Sequence, residues 1–256
     1  MTNTEVNNFQ SKPVELTPTK VHSLIMRLDL SEGIQKSIAS GSYEPEQTGW
    51  MVECLAPGDR FVDIGANFGW YIALVSTLHN RSIDVFAFEP SPVAAQVIAT
   101  TIDENHLKNV TLVRSAVGAC DGEISLYMPM NDSLHSPSVF FSNPNFVPLQ
   151  VPLISLDSYA LLADGRPINL IKIDVEGSEP NVIRGMSELC RRGMVKNIIC
   201  EFNSGWLRRN SWTPAKLFEL ITSLGFAVHK KTTLWASNEP DGKRYECQDI
   251  WFKLAK

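Results

Sequence analysis

The stretch Pro57-Gly-Asp-Arg-Phe-Val-Asp63-Ile-Gly65-Ala-Asn67-Phe-Gly69-Trp-Tyr71 decides the fold. Its apolar run from Arg60 to Ile64 is too short for a helix and reads as a buried strand. Two glycines then let the backbone turn sharply, and helical spacing follows from Trp70 to His79. A strand that passes through a glycine turn into a helix is the opening unit of a parallel α/β sheet. Ligands of such sheets sit at the carboxyl ends of the strands, where this turn lies.

The same alternation continues downstream. The pattern predicts a strand over 83–88, a helix over 92–105, a strand over 110–117 and, after an interruption, a strand over 169–173. It then predicts a helix over 180–191, a strand over 195–202, a helix over 214–224 capped by Gly225, and closing strands over 226–229 and 248–254. The interruption, at about 122–152, reads as a hairpin flap inserted into the core; long irregular segments of this kind often form lids or substrate loops. Upstream, residues 1–45 read as a polar tail with a helical cap, on the helical spacing from Val21 to Ser40. Residues 46–256 read as one ligand-binding domain.

Composition narrows the function. A net charge of −5 disfavours a nucleic-acid binder or a protein that rests on anionic lipid, since both need a basic surface. No apolar run is long enough to span a membrane, and the polar start lacks the apolar core of a secretory signal. The five cysteines are scattered and never form a CxxC pair, which suits a reducing compartment. The expectation is a cytoplasmic protein with no membrane partner and no nucleic-acid partner, and with room for a homodimer.

The glycine turn has two candidate ligands. A dinucleotide needs G-x-G-x-x-G and space for its pyrophosphate. Here Asn67 replaces the middle glycine, and Asp63 precedes the first one, where a carboxylate would repel phosphate and attract an ammonium. Glu89 ends the next strand, placed to accept both hydroxyls of a ribose. A ribose and an ammonium without a phosphate describe S-adenosylmethionine. The bland alternative is a tight turn in which Asp63 and Glu89 only cap helices.

Four segments, PGDRFVDIGANFGWY, AFEPSP, LDSY and INLIKIDVEGSE, stand in order between residues 57 and 179. Together they strongly resemble the FkbM-type family of S-adenosylmethionine-dependent methyltransferases, across roughly residues 43 to 203. The resemblance implies a class I methyltransferase fold: a Rossmann-like, doubly wound, mostly parallel sheet of seven strands with an antiparallel last strand. It implies O-methylation of a hydroxyl on a sugar, a polyketide or another secondary metabolite. By position, Asp63, Gly65, Asn67 and Gly69 would line the methionine end of the cofactor. Glu89 would hold the ribose, and Ser115 and Ala116 would lie against the adenine. Phe68 and Trp70 read as core.

Asp174, Glu176 and Glu179 cluster at the end of the predicted central strand. Like charges this close raise one another's pKa, which makes Asp174 the first candidate for a general base and a second contact to the cofactor. Glu176 is a second candidate and His135, on the flap, a third; Glu179 reads as a helix-capping acid. Asp157, Asp174 and Glu201 are oxygen ligands in principle, but methyl transfer requires no metal and none is expected. Two rival functions remain at this point. One is N-methylation of protein or nucleic acid through Asn143-Pro-Asn-Phe146, a near-miss to an amino-methyltransferase motif, and the other is a non-catalytic cofactor-binding protein. The flap is expected to set the choice of acceptor.

Overall fold

The computed structural model describes residues 16–129, 146–159, 164–238 and 244–255. The chain opens with β1 (Thr17–Val21), β2 (Leu24–Leu28), α1 (Gly33–Ser40) and α2 (Pro45–Cys54). The core then runs β3 (Arg60–Ile64), α3 (Trp70–Val75), β4 (Asp84–Phe88), α4 (Pro92–Glu104) and β5 (Val110–Val113). A second layer follows with β6 (Ala116–Val117), β7 (Gly122–Pro129) and β8 (Phe146–Ile154). The chain returns to the core through β9 (Leu170–Ile173), α5 (Glu179–Arg184), α6 (Ser187–Arg191), β10 (Asn197–Asn203), α7 (Ser204–Arg209) and α8 (Pro214–Ser223). It ends with β11 (Phe226–Lys231), β12 (Trp235–Asn238) and β13 (Arg244–Leu254).

Seven strands lie in the order β11-β13-β10-β9-β3-β4-β5, and β12 pairs onto β13. β10, β9, β3, β4 and β5 run parallel to one another, and β13 runs antiparallel between β10 and β11. This is the mostly parallel, Rossmann-like sheet expected from the sequence. The chain leaves β3 on one side toward β4 and β5, then returns on the other side at β9. The switch point, and the crevice it opens, therefore lies between the carboxyl ends of β3 and β9.

Burial on both faces explains the short, dense central strands. All five residues of β3 and all four of β9 are buried. Phe61 and Leu170 pack toward α3 and the N-terminal elements, whereas Val62, Ile64, Ile171 and Ile173 pack toward α5, α6 and α8. Asp63 and Lys172 are register partners across β3 and β9, buried among apolar neighbours. Local chemistry starts and stops the helices as expected. Ser91 caps α4 with Pro92 at its first position, Thr213 caps α8, and Gly225 adopts φ +90 beyond the end of α8.

The N-terminal reading needs correction. Only Gly33–Ser40 of the expected helical stretch is helix; Thr17–Leu28 is a β-hairpin that turns at His22. Val21, Leu24, Ile25 and Leu28 satisfy helical spacing, but Leu24, Met26 and Leu28 also alternate, and the alternating set is the buried one. Tertiary pairing decides between the two periods. The Asn105 side chain accepts from Ile25 N at 2.9 Å and donates to Ile25 O at 2.7 Å, which satisfies the free edge of β2.

The strand expected over 110–117 also divides. β5 stays in the main sheet, while β6 pairs in parallel with β8. β7 and β8 form the expected antiparallel hairpin, so the base of the flap is a small three-stranded sheet; its tip, residues 130–145 with His135, lies outside the described residues. This second layer docks through a close backbone contact, since a Cβ on Gly185 would stand 1.9 Å from the Gly118 carbonyl oxygen. Gly185 has an ordinary φ of −74, so a substitution there tests contact alone. Gly185→Ala is expected to destabilise the protein by about 1–3 kcal/mol in denaturant unfolding. Gly49→Ala, in α2 with nothing within 4 Å of its added methyl, should be neutral or slightly stabilising.

Candidate active site

The turn after β3 depends on unusual backbone. Gly65, Asn67 and Gly69 take φ of +82, +48 and +88, and the N–H groups of Gly65 and Ala66 both donate to Phe88 O. Gly65 is fixed by contact as well as by conformation, because a Cβ there would lie 1.9 Å from the Asp174 carbonyl oxygen. The turn is tied to the end of β4 through Glu89. Asn67 N donates to Glu89 Oε2 at 2.8 Å, and Ser91 N donates to Glu89 Oε1 at 2.7 Å. Burial pushes the Glu89 carboxyl up to about 7, although both amide bonds pull it down.

A cavity of about 400 Å³ opens at the switch point. Gly65, Asn67, Glu89, Ser115, Ala116, Asp174 and Glu176 all line it, so most residues singled out in the sequence converge. Two of the expected cofactor residues do not. Gly69 serves as the left-handed residue before α3, and its missing side chain leaves room for Ile98. Asp63 is fully buried beneath the lining, beside Lys172, and neither of its carboxylate oxygens has a hydrogen-bond partner. Burial raises the Asp63 carboxyl to about 7 against the opposing pull of Lys172. Phe68 and Trp70 are buried, as read, and also form part of the cavity wall.

The acid cluster after β9 is more divided than its spacing suggested. Asp174 N donates to Ile64 O, and Asp174 Oδ2 accepts from Lys172 Nζ at 2.9 Å. Glu176, at φ +52, faces the cavity. Glu179 turns into its own loop, where Oε1 accepts from Val175 N and Gly177 N, both at 3.1 Å. Only one of the two neighbouring acids therefore shares the cavity with Asp174. Asp157 accepts from Glu188 N and Leu189 N at the start of α6, which removes it from any set with Asp174 and Glu201. Among the described residues, no group of three or more His, Cys, Asp or Glu is arranged to hold a metal ion.

Three groups in the lining were not singled out for this role in the sequence. Lys172 occupies the polar slot of Ile-Lys-Ile, a position that reads as an ordinary strand alternation; the available signal was a lysine in a strand with both faces buried. Glu44 and Tyr71 approach from the N-terminal side, where the Tyr71 hydroxyl donates to Glu44. Glu201, read only as a rim acid and metal candidate, lines the cavity and accepts from Cys247 Sγ at 3.3 Å. Burial, then the charges of Asp174 and Glu176, hold the Glu201 carboxyl well above the usual carboxylate range.

Residues 63–228 match the model of the methyltransferase FkbM domain. The chain belongs to this family. It is 27% identical over 209 residues to Methyltransferase 1 of Beauveria bassiana, covering 74% of this chain and 80% of the relative. It is also 27% identical over 160 residues to the hexuronic acid methyltransferase AglP of Haloferax volcanii, covering 60% of each. The fold resembles the tRNA m1G37 methyltransferase of M. jannaschii, with a TM-score of 0.51 and 12% identity over 96% of this chain and 59% of that one. This FkbM-family methyltransferase is therefore an enzyme that uses S-adenosylmethionine. The donor set fits that cofactor: a buried carboxylate at the end of β4 and a glycine turn at β3 share one cavity with Ser115 and Ala116. No helix among the described residues is long and apolar enough to cross a membrane.

Glu89 should govern cofactor affinity. Glu89→Ala is expected to weaken S-adenosylhomocysteine binding by about 1–3 kcal/mol in calorimetry. Its carboxyl is raised from 4.5 to about 7 by folding, so the stability it contributes is full below about 4.5 and is lost as pH rises through about 7. Ribose hydroxyls donate best to the ionised form. Wild-type affinity should therefore climb as pH passes about 7 and then level off, and Glu89→Gln should flatten that rise.

Proposed function

We infer that the enzyme methylates a hydroxyl oxygen on a small molecule, with a sugar as the favoured acceptor class. The observation that carries this reading is the shared cavity, in which Glu89 and the Asp174–Glu176 pair line one concave space of about 400 Å³. A concave site of this size suits a small acceptor better than the surface of a polymer. The net charge of −5 gives no electrostatic support to a nucleic-acid acceptor. The hexuronic acid methyltransferase among its relatives supports a sugar.

Bound S-adenosylmethionine supplies an electrophilic methyl group on a sulfonium. Glu89 would hold the ribose hydroxyls, Ser115 and Ala116 would flank the adenine, and the turn from Gly65 to Asn67 would hold the methionine end. A hydroxyl is a poor nucleophile until its proton leaves, so a nearby base is needed. Asp174 is the proposed base: it lines the cavity, and Lys172 engages only one of its oxygens, Oδ2. The acceptor's proton would pass to this carboxylate as its oxygen forms a bond to the methyl carbon, and the carbon–sulfur bond would break to release S-adenosylhomocysteine. Apolar walls from Ile34, Ile38, Phe68 and Trp70 exclude water, which strengthens each of these interactions.

Asp174→Asn keeps the shape and removes the basicity. Turnover should fall by about 10²–10⁴-fold while S-adenosylhomocysteine affinity stays within about tenfold. Labelled cofactor screened against a panel of free sugars, uronates and small alcohols supplies the assay, and mass spectrometry of the product should show a methyl ether. An N-methylated product would overturn the oxygen assignment. Loss of cofactor affinity with turnover intact at saturation would make Asp174 a binding residue instead.

A further inference from the structure

Cofactor binding and proton removal leave one feature of the site unused, a lysine inside the sheet. Lys172 stands within β9 and is only 3% exposed. Its ammonium lies 2.9 Å from Asp174 Oδ2 and 4.9 Å from the centre of the Tyr71 ring. Four acids act on it: Asp63 from the adjacent β3, Glu44 from the turn before α2, Asp249 from β13 beyond β10, and Asp174 from the end of its own strand. Tyr43, beside Glu44, also feels its charge. Glu201, on β10, also feels the charge of Asp174. Among the described residues that line the cavity, Lys172 is the only lysine or arginine.

Burial alone would pull the Lys172 ammonium down. Asp174, and then Glu44, Asp63 and Asp249, outweigh that pull and hold it well above the usual lysine range. An ammonium so outnumbered has little attraction left for an anionic acceptor. It serves the protein's own carboxylates.

We propose that Lys172 is a positioning residue, whose ammonium, 2.9 Å from Asp174 Oδ2, orients the Asp174 carboxylate toward the acceptor hydroxyl and offsets the charge of the acids around it. This rests on the reading of Asp174 as the group that takes the acceptor's proton. The assignment has a consequence that packing does not share. Without a cation the buried acids must take up protons when the chain folds, and a folded state that binds extra protons loses stability as pH rises.

Thermal unfolding between about pH 5 and pH 8 tests this without any acceptor. Lys172→Met should melt below wild type, and the gap should widen by about 4 °C or more across that interval. Adding Asp174→Asn to Lys172→Met should narrow the widening, and should do so more than adding Asp63→Asn. Lys172→Arg keeps the charge and should show a constant gap, whatever its packing cost. A Lys172→Met gap that is equal at both pH values means that the lysine only fills space, which overturns the proposal. So does a widening relieved by Asp63→Asn and not by Asp174→Asn. If Lys172→Met does not fold at pH 8, recovery at pH 5 and in the Asp174→Asn background is the expected result, and failure in both counts against the proposal.

In the transfer assay, Lys172→Met should lower turnover at saturation about tenfold or more with S-adenosylhomocysteine affinity within about threefold. Turnover that is unchanged in Asp174→Asn, beside a widening gap in Lys172→Met, would overturn the proton-acceptor reading and with it the role of Lys172 in transfer. The two failures are thereby distinguished.

Discussion

A Cβ at residue 65 would stand 1.9 Å from the Asp174 carbonyl oxygen, so the ends of β3 and β9 can lie this close only because residue 65 is glycine. Much of the site follows from that contact. Asp174 N donates to Ile64 O, which continues the β3–β9 pairing by one residue beyond the strands and brings Asp174 to the lip of the cavity. On the other side of β3, the same turn gives its Gly65 and Ala66 N–H groups to Phe88 O and its Asn67 N–H to Glu89. One turn therefore sets both Glu89 and Asp174 in the wall of the cavity. A side chain at residue 65 would force both strand ends apart at once.

The second constraint is electrostatic. Burial holds the carboxyls of Asp63, Glu89, Glu179 and Asp249 at about 7, far above their ordinary range. These groups bind protons in the folded state that the unfolded chain releases, so each weakens the fold as pH rises toward neutrality. A protein retains such groups where charge has work to do. Two of them show different ways of bearing the cost. Glu89 is satisfied by two backbone N–H groups, whereas Asp63 has no hydrogen-bond partner and relies on the charge of Lys172 across the strand pair.

The sheet was legible in the sequence because its signals are local. Arg60 to Ile64, the glycines after it, and the capped helix after Ser91 each declare their structure within a few residues. The site was legible to the extent that its members end strands: Glu89, Ser115 and Asp174 do so, and all three line the cavity. The misreadings fall where distant contacts decide. The N-terminal hairpin satisfied a helical period and a strand period together, and Asn105, far along the chain, resolved the choice. Asp63 seemed to face the cofactor because it precedes the glycine turn, but every residue of β3 is buried, and Asp63 is not in the lining of the cavity. Lys172, Glu44 and Tyr71 come from three separate segments and carry no shared spacing, so only the folded chain brings them together.

Two segments outside the main sheet close the cavity, and they close different ends. Ile124 and Leu126 of β7 and Leu153 of β8 line it together with Ser115 and Ala116. The base of the flap therefore shares its part of the wall with Ser115 and Ala116. Ile34, Ile38, Tyr43 and Glu44 line the cavity from the N-terminal side, where the Tyr71 hydroxyl donates to Glu44. Glu44 holds a left-handed backbone, φ +43, immediately before Pro45. A non-glycine residue in that region costs of order 1 kcal/mol and persists only where its surroundings fix it. The Tyr71 hydrogen bond and the rigid proline supply that fixing. The same carboxylate also acts on the Lys172 ammonium, so the wall and the charge cluster share Glu44. An acceptor that displaced this wall would admit water to Lys172 and Asp174 and weaken their pairing, since attraction between charges falls as the local dielectric rises.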